Sequence, residues 1–174
     1  MNYTIISGTN RPGSNSLILS KYYKKKFSEK GIDCNIIDLQ DLPTDFILSN
    51  MYGKRTEEFQ KVQDVVSNTD KFIFVIPEYN GSFPGVLKTF IDACTFPVSF
   101  EGKKCALVGL SAGKFGNLRG LEHFTGVANY IKIDVCHNKM YLPGIGNDIN
   151  DDGEINTPLH VTLIDNQIEG FINF

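Results

Sequence analysis

Apolar residues along this chain fall into two rhythms. Unbroken apolar or β-rich runs occupy residues 3–6, 34–39, 72–76, 105–110 and 131–135. The clearest is Phe72-Ile73-Phe74-Val75-Ile76, five apolar residues in a row, as expected for a strand covered on both faces in the middle of a parallel sheet. Between these runs the spacing changes to the helical period. Ile18, Leu19, Tyr22, Tyr23 and Phe27 share one face, with Lys21, Lys24, Lys25 and Lys26 mainly on the wet side. Gly31 reads as the C-cap of that helix. Phe59, Val62, Val65 and Val66 predict a helix over residues 57–69; Val86, Leu87, Phe90, Ile91 and Cys94 predict another. A further helix is expected over about residues 118–129. Thr157-Pro158 reads as the cap and first residue of a last helix, carried by Leu159, Leu163, Ile164, Gln167, Ile168, Phe171 and Ile172. Residues 40–53 are irregular or hold a short helical turn, and residues 138–152 are rich in turns.

Strands alternating with helices imply right-handed crossovers and a doubly wound, three-layer α/β/α fold on a five-stranded parallel sheet. No repeat, low-complexity tract or long linker divides the chain, so residues 1–174 are expected to form one domain.

Three polar loops follow strands, at residues 7–16, 77–83 and 111–117, and parallel strands bring all three to one sheet edge. The first offers the hydroxyls of Thr9, Ser14 and Ser16, the amide of Asn15 and the charged fork of Arg11. The amides at the following helix start add a positive field, which suits a phosphate. The second and third loops offer backbone and small side chains fit for a planar ring. In the second, Pro77 stops the strand and Asn80-Gly81 is a strong turn signal. Neither the dinucleotide fingerprint nor the G-x-x-x-x-G-K-[ST] loop is present. A hydroxyl-built loop matches a terminal phosphate monoester such as that of FMN. Ser111 lacks the G-x-S-x-G elbow and no Ser-His-Asp order is evident, which argues against a hydrolase.

Charge and cysteines narrow the classes further. Seventeen basic residues against twenty acidic ones give a net charge of -3, without the basic stripe that nucleic-acid binding needs. The apolar runs are far below a membrane span, and MNYTIISG lacks the basic region and long apolar core of a signal peptide. Cys34, Cys94, Cys105 and Cys136 are scattered, and read as reduced, mostly buried thiols of a cytoplasmic protein with no metal site.

The motifs together resemble the NAD(P)H-dependent FMN reductase family, flavodoxin-like proteins that include quinone, azo-dye and chromate reductases. The resemblance rests on Gly8-Thr9-x-Arg11-x-x-Ser14-x-Ser16, on the run from Pro77 to Lys88, and on Gly109-x-Ser111-x-Gly113-x-x-Gly116. It implies that Thr9, Arg11, Ser14 and Ser16, with Asn15, hold the FMN phosphate. It implies that Pro77, Glu78, Tyr79, Asn80 and Gly81 line the isoalloxazine ring, with Ser111, Gly113 and Gly116 bordering it. It also implies an NADH or NADPH donor, a small-molecule acceptor, no catalytic side chain beyond the flavin, and a homodimer. The alternative is a flavodoxin-like electron carrier that serves a protein partner. Three features depart from the family pattern: Ser16 replaces a frequent asparagine, Asn117 replaces a second glycine, and the chain has no tryptophan. Asp45, Tyr52, Lys54 and Arg55 are candidates for contact with the nicotinamide donor, Arg55 through the extra phosphate of NADPH.

Overall fold

The computed structural model describes residues 1–174. Its strands are β1 (Tyr3–Ser7), β2 (Cys34–Asp38), β3 (Lys71–Pro77), β4 (Lys104–Leu110), β5 (Asp134–Val135) and β6 (Met140–Leu142). Its helices are α1 (Asn15–Glu29), α2 (Phe46–Asn50), α3 (Glu57–Ser67), α4 (Gly85–Ala93), α5 (Leu118–Tyr130), α6 (Ile145–Asp148) and α7 (Pro158–Asn173). Every strand pairing is parallel, in the order β2-β1-β3-β4-β5, with β6 also paired to β4. This is the flavodoxin-like order in a three-layer α/β/α fold.

The unbroken apolar runs feed two cores because successive strand residues point to opposite faces. Ile6, Phe72, Phe74, Ile76 and Leu107 pack against α3, α4 and α5 through Phe59, Val66, Leu87, Phe90, Leu121 and Phe124. Tyr3, Ile5, Ile73, Val75 and Val108 pack against α1 and α7 through Leu19, Tyr23, Phe27, Ile164, Ile168 and Phe171. Each fully buried aliphatic or aromatic side chain contributes about 1.5–3 kcal/mol. Lys71 and Asp148 are the buried charged residues. Lys71 is buried, and its Nζ donates to the carbonyls of Phe171 (2.9 Å) and Ile172 (3.0 Å) at the end of α7. Burial, and then the nearby Lys104, lower its pKa.

The fifth strand differs from the expected run over residues 131–135. Ile131 caps α5, Lys132 takes the left-handed conformation at φ 62, and Ile133 donates back to the carbonyl of Ala128. This is a Schellman stop with lysine where glycine is usual. Only Asp134 and Val135 pair with β4 before the chain leaves the sheet, and Met140–Leu142 returns to the same edge higher up. The first helix starts at Asn15, ahead of the apolar face that begins at Ile18, because Ser14 caps it by accepting from the amide of Leu17 at 3.2 Å. Its end is another Schellman motif: Lys30 is the cap residue and Gly31, at φ 75, follows it. Residues 40–53 resolve into a 3-10 turn at Leu39–Asp41 and α2. No helix is long and apolar enough to cross a membrane.

Candidate functional site

The chain leaves β1 toward β2 on one side and returns to β1 on the other side as β3. That reversal opens a crevice beyond the carboxyl ends of β1 and β3. A cleft of about 340 Å³ lies there, with Thr9, Arg11, Gly13, Ser14, Asn15 and Ser16 on one wall. Pro77, Glu78 and Tyr79 come from the end of β3, Leu110, Ser111 and Ala112 from the end of β4, and Ile145 and Gly146 from α6.

The first loop is fixed against β3. The Gly8 amide donates to the Val75 carbonyl at 2.9 Å, and a Cβ on Gly8 would fall 2.8 Å from that oxygen. Only glycine fits so close an approach. Thr9 is buried, and its Oγ1 shares a hydrogen bond with Tyr79 Oη at 2.7 Å, tying the first loop to the second. Ser16 is 1% exposed, yet its Oγ has no partner in the chain. A buried unpaired hydroxyl costs about 1–3 kcal/mol, so fold stability does not account for it. The first turn of α1 carries no acidic residue, and Arg11 is exposed with no carboxylate in ion-pairing reach. Hydroxyls, a free guanidinium and a 15-residue helix start thus converge on one end of the cleft. That donor set fits a phosphate.

The second loop is rigid. The Glu78 amide donates to the Leu110 carbonyl at 2.9 Å. Tyr79 and Ser82 exchange backbone bonds of 2.9 and 3.0 Å around Asn80 (φ 52) and Gly81 (φ 77), a type I′ turn. In the third loop Ser111 Oγ donates to the Gly113 carbonyl and accepts from the Gly116 amide. Asn117, buried and left-handed at φ 66, donates its side-chain amide to the Ile76 carbonyl at 2.9 Å. That bond pins the third loop to the strand end that carries Pro77.

A model of the NADPH-dependent FMN reductases matches residues 1–143. The chain belongs to that family. An FMN-dependent NADPH-azoreductase of Staphylococcus saprophyticus is 32% identical over 113 residues, 63% of this chain and 60% of that protein. An NAD(P)H-dependent FMN reductase of Pseudomonas aeruginosa is 32% identical over 123 residues, 68% of this chain and 64% of that protein. The matched part thus spans under two thirds of each relative's length. In fold, the chain is similar to a flavoenzyme NAD(P)H:(acceptor) oxidoreductase of Paracoccus denitrificans. The TM-score is 0.81 at 20% identity, over 99% of this chain and 95% of that one.

In this member of the FMN reductase family, the residues singled out from sequence divide by position. Thr9, Arg11, Ser14, Asn15, Ser16, Pro77, Glu78, Tyr79 and Ser111 meet around one cleft. Asn80 and Gly81 form the turn beyond it. Gly113 and Gly116 shape the third loop rather than line the cleft. Gly116 is buried, and a Cβ there would lie 2.5 Å from the Leu142 amide. Ile145 and Gly146 carry no motif in the sequence. They reach the cleft because Ser111 donates to Leu142, Ile145 to Ser111 and Gly144 to Gly113, stitching this segment to the third loop. They lie in the turn-rich stretch expected over residues 138–152, where Gly144 turns at φ 61.

Arg55 is engaged elsewhere: it donates to the Ala93 carbonyl at 2.8 Å and lies over the Phe59 ring. With Tyr52 and Lys54 it borders a separate hollow. All four cysteines are free and buried. Burial pushes Cys34 and Cys94 up to about 12 and Cys105 higher still, so these three are not nucleophiles near neutral pH. No group of three or more His, Cys, Asp or Glu is placed to hold a metal ion.

Proposed function

We propose that this protein is an NAD(P)H-dependent, FMN-containing oxidoreductase that passes reducing equivalents to quinones, free flavin or similar electron-poor acceptors. The observation that carries this reading is the buried, unpartnered hydroxyl of Ser16, in the cleft that also holds Arg11, Thr9 and Ser14. Those residues fit the phosphate of FMN, and Pro77 to Tyr79 with Ser111 and Ala112 offer walls for its ring. When bound, FMN supplies the redox chemistry, taking hydride from the nicotinamide and releasing electrons to the acceptor.

The residues supply position. Thr9 is aimed by its bond to Tyr79, and the 77–79 backbone is held by the Glu78 and Asn117 bonds to neighbouring strand ends. Rigid donors need no reorganisation during reaction. No side-chain acid or base is required for hydride transfer. The cleft is open and lacks a charged cluster dedicated to one acceptor, which supports a broad acceptor range.

The test is direct. Purified protein is expected to carry or take up FMN with oxidised-flavin bands in its visible spectrum, and calorimetric titration showing no FMN binding would sink the proposal. A second reading, an electron carrier serving a protein partner, is favoured by the fold shared with an archaeal flavodoxin (TM-score 0.65, 12% identity, 99% of this chain and 98% of that one). Rapid anaerobic bleaching of the flavin by NADH or NADPH alone selects the reductase. We further propose that the working form is a homodimer, supported by the exposed apolar Ile47 and Leu48 on α2.

A further inference from the structure

The chain has three arginines, and two have evident tasks: Arg11 lines the cleft, and Arg55 is bonded to Ala93. The third, Arg119, lies exposed in the first turn of α5. It forms no ion pair and donates no side-chain hydrogen bond, and the nearby Glu122 is taken by Lys139 at 2.6 Å. A cation at the positive end of a helix dipole is disfavoured, and that turn holds no acidic residue to offset it. Stability does not explain this placement.

Its surroundings point to an anion. A Cβ on Gly81 would lie 3.8 Å from both Cζ and Nε of Arg119, so the guanidinium stands beside Gly81 in the Asn80-Gly81 turn. One helical turn on, His123 Nδ1 bonds Ser82 Oγ at 2.9 Å, so residues four apart on one face of α5 grip this turn. The same turn begins with Tyr79, which lines the cleft. Arg119 therefore stands just outside the cleft wall, with all its guanidinium donors free. A dinucleotide that brings its nicotinamide to the cleft must extend its phosphates beyond the rim.

We infer that Arg119 is a binding residue for the nicotinamide donor, its guanidinium taking a phosphate of the dinucleotide at the outer side of the 79–82 turn. The inference rests on the reading that a nicotinamide reduces flavin held in the adjacent cleft. Two phosphates of such a donor share this chemistry, the diphosphate bridge and the 2′-phosphate that marks NADPH. Guanidinium binds either through paired donors.

The experiment compares FMN-loaded wild type, Arg119→Gln and Arg119→Lys. Calorimetric titration uses adenosine 2′,5′-bisphosphate, which carries the 2′-phosphate, and ADP-ribose, which carries only the diphosphate. Anaerobic stopped-flow reduction by NADPH and NADH accompanies it. Arg119→Gln is expected to weaken at least one probe about tenfold, with Arg119→Lys intermediate and the flavin spectrum unchanged. Loss confined to the bisphosphate, with a matching loss for NADPH over NADH, supports the proposal with the 2′-phosphate as partner. Loss for both probes supports it with the diphosphate as partner. Unchanged affinity for both probes in Arg119→Gln overturns it, as does failure of flavin-loaded wild type to bind either. Either of those leaves the flavin reading standing on the spectrum. Failure of the wild type to take up FMN removes that reading and this inference with it.

Discussion

At the scale of single residues, the phosphate end of the cleft carries the sharpest expectation. On the proposed reading, Arg11→Ala removes a charged partner that only the phosphate of FMN uses. It is expected to weaken FMN by about 1.5–3 kcal/mol while leaving riboflavin nearly unaffected. Parallel titrations with the two flavins check this, and equal losses would place Arg11 elsewhere. Ser16→Ala belongs to the same test with the opposite effect on stability. It deletes a buried hydroxyl without a partner, so the flavin-free protein is expected to melt no lower than wild type while FMN binding weakens. A lower melting point with FMN affinity intact would make Ser16 a packing residue. That these side chains share one cleft was legible in the sequence, because parallel strands bring the loops after them to one sheet edge. The burial of Ser16 was not legible, since it depends on how the helix start settles over β3. Nor was the role of Gly116 as a packing residue: a glycine reads the same whether a cofactor or the Leu142 backbone fills the space beside it.

At the scale of elements, the tightest join is where α5 begins. A Cβ on Gly120 would lie 2.0 Å from Asn117 Oδ1, so Gly120→Ala must displace the side chain that bonds Ile76. Unfolding in urea is expected to show a loss of about 1–3 kcal/mol. An unchanged midpoint would mean that the loop relaxes freely. A second join ties α6 to α7. Asp148 accepts from the Thr157 amide at 2.7 Å and bonds His160 Nδ1 at 2.5 Å. Burial pushes its carboxyl up, but the bonds from His160 and Thr157 outweigh burial and hold it below its ordinary value. A carboxyl depressed in the fold adds stability above its unfolded pKa and loses it as pH falls through the folded one. The stability gap between wild type and Asp148→Asn is therefore expected to be open near neutral pH, at about 1–3 kcal/mol, and to close as acid protonates Asp148. A gap that stays constant down to about pH 3 would remove the ionic part of this account. The start of α7 at Thr157-Pro158 was legible, whereas the caps Ser14 and Thr56 were not singled out. The end of α5 was read to within one residue, but the left-handed stop at Lys132 was not, and the short β5 and the separate β6 follow from it.

At the scale of the whole molecule, alternating strands and helices gave the fold class, while the order of the strands came through resemblance, since periodicity does not say which edge a strand joins. Assembly is where the surface adds to the argument. Ile47 is 58% exposed and Leu48 73%, side by side on α2. They border a groove of about 980 Å³ walled also by Leu39, Leu42 and Phe46. The groove continues through Asn10 and Pro12 to the loop that carries Arg11 and Ser14, so a partner seated there would also approach the cleft. Exposed apolar area favours association by roughly 25 cal/mol per Å², and a stable pair buries about 800 Å² on each chain. A second copy of the chain meets that need symmetrically. Light scattering of the FMN-loaded protein is expected to give the mass of two chains, and Ile47→Lys with Leu48→Lys to shift it toward one. A dimer that survives the double change would move the contact to another face. A single-chain mass for the unaltered protein, with flavin bound and turnover intact, would show that the cleft works without a neighbour.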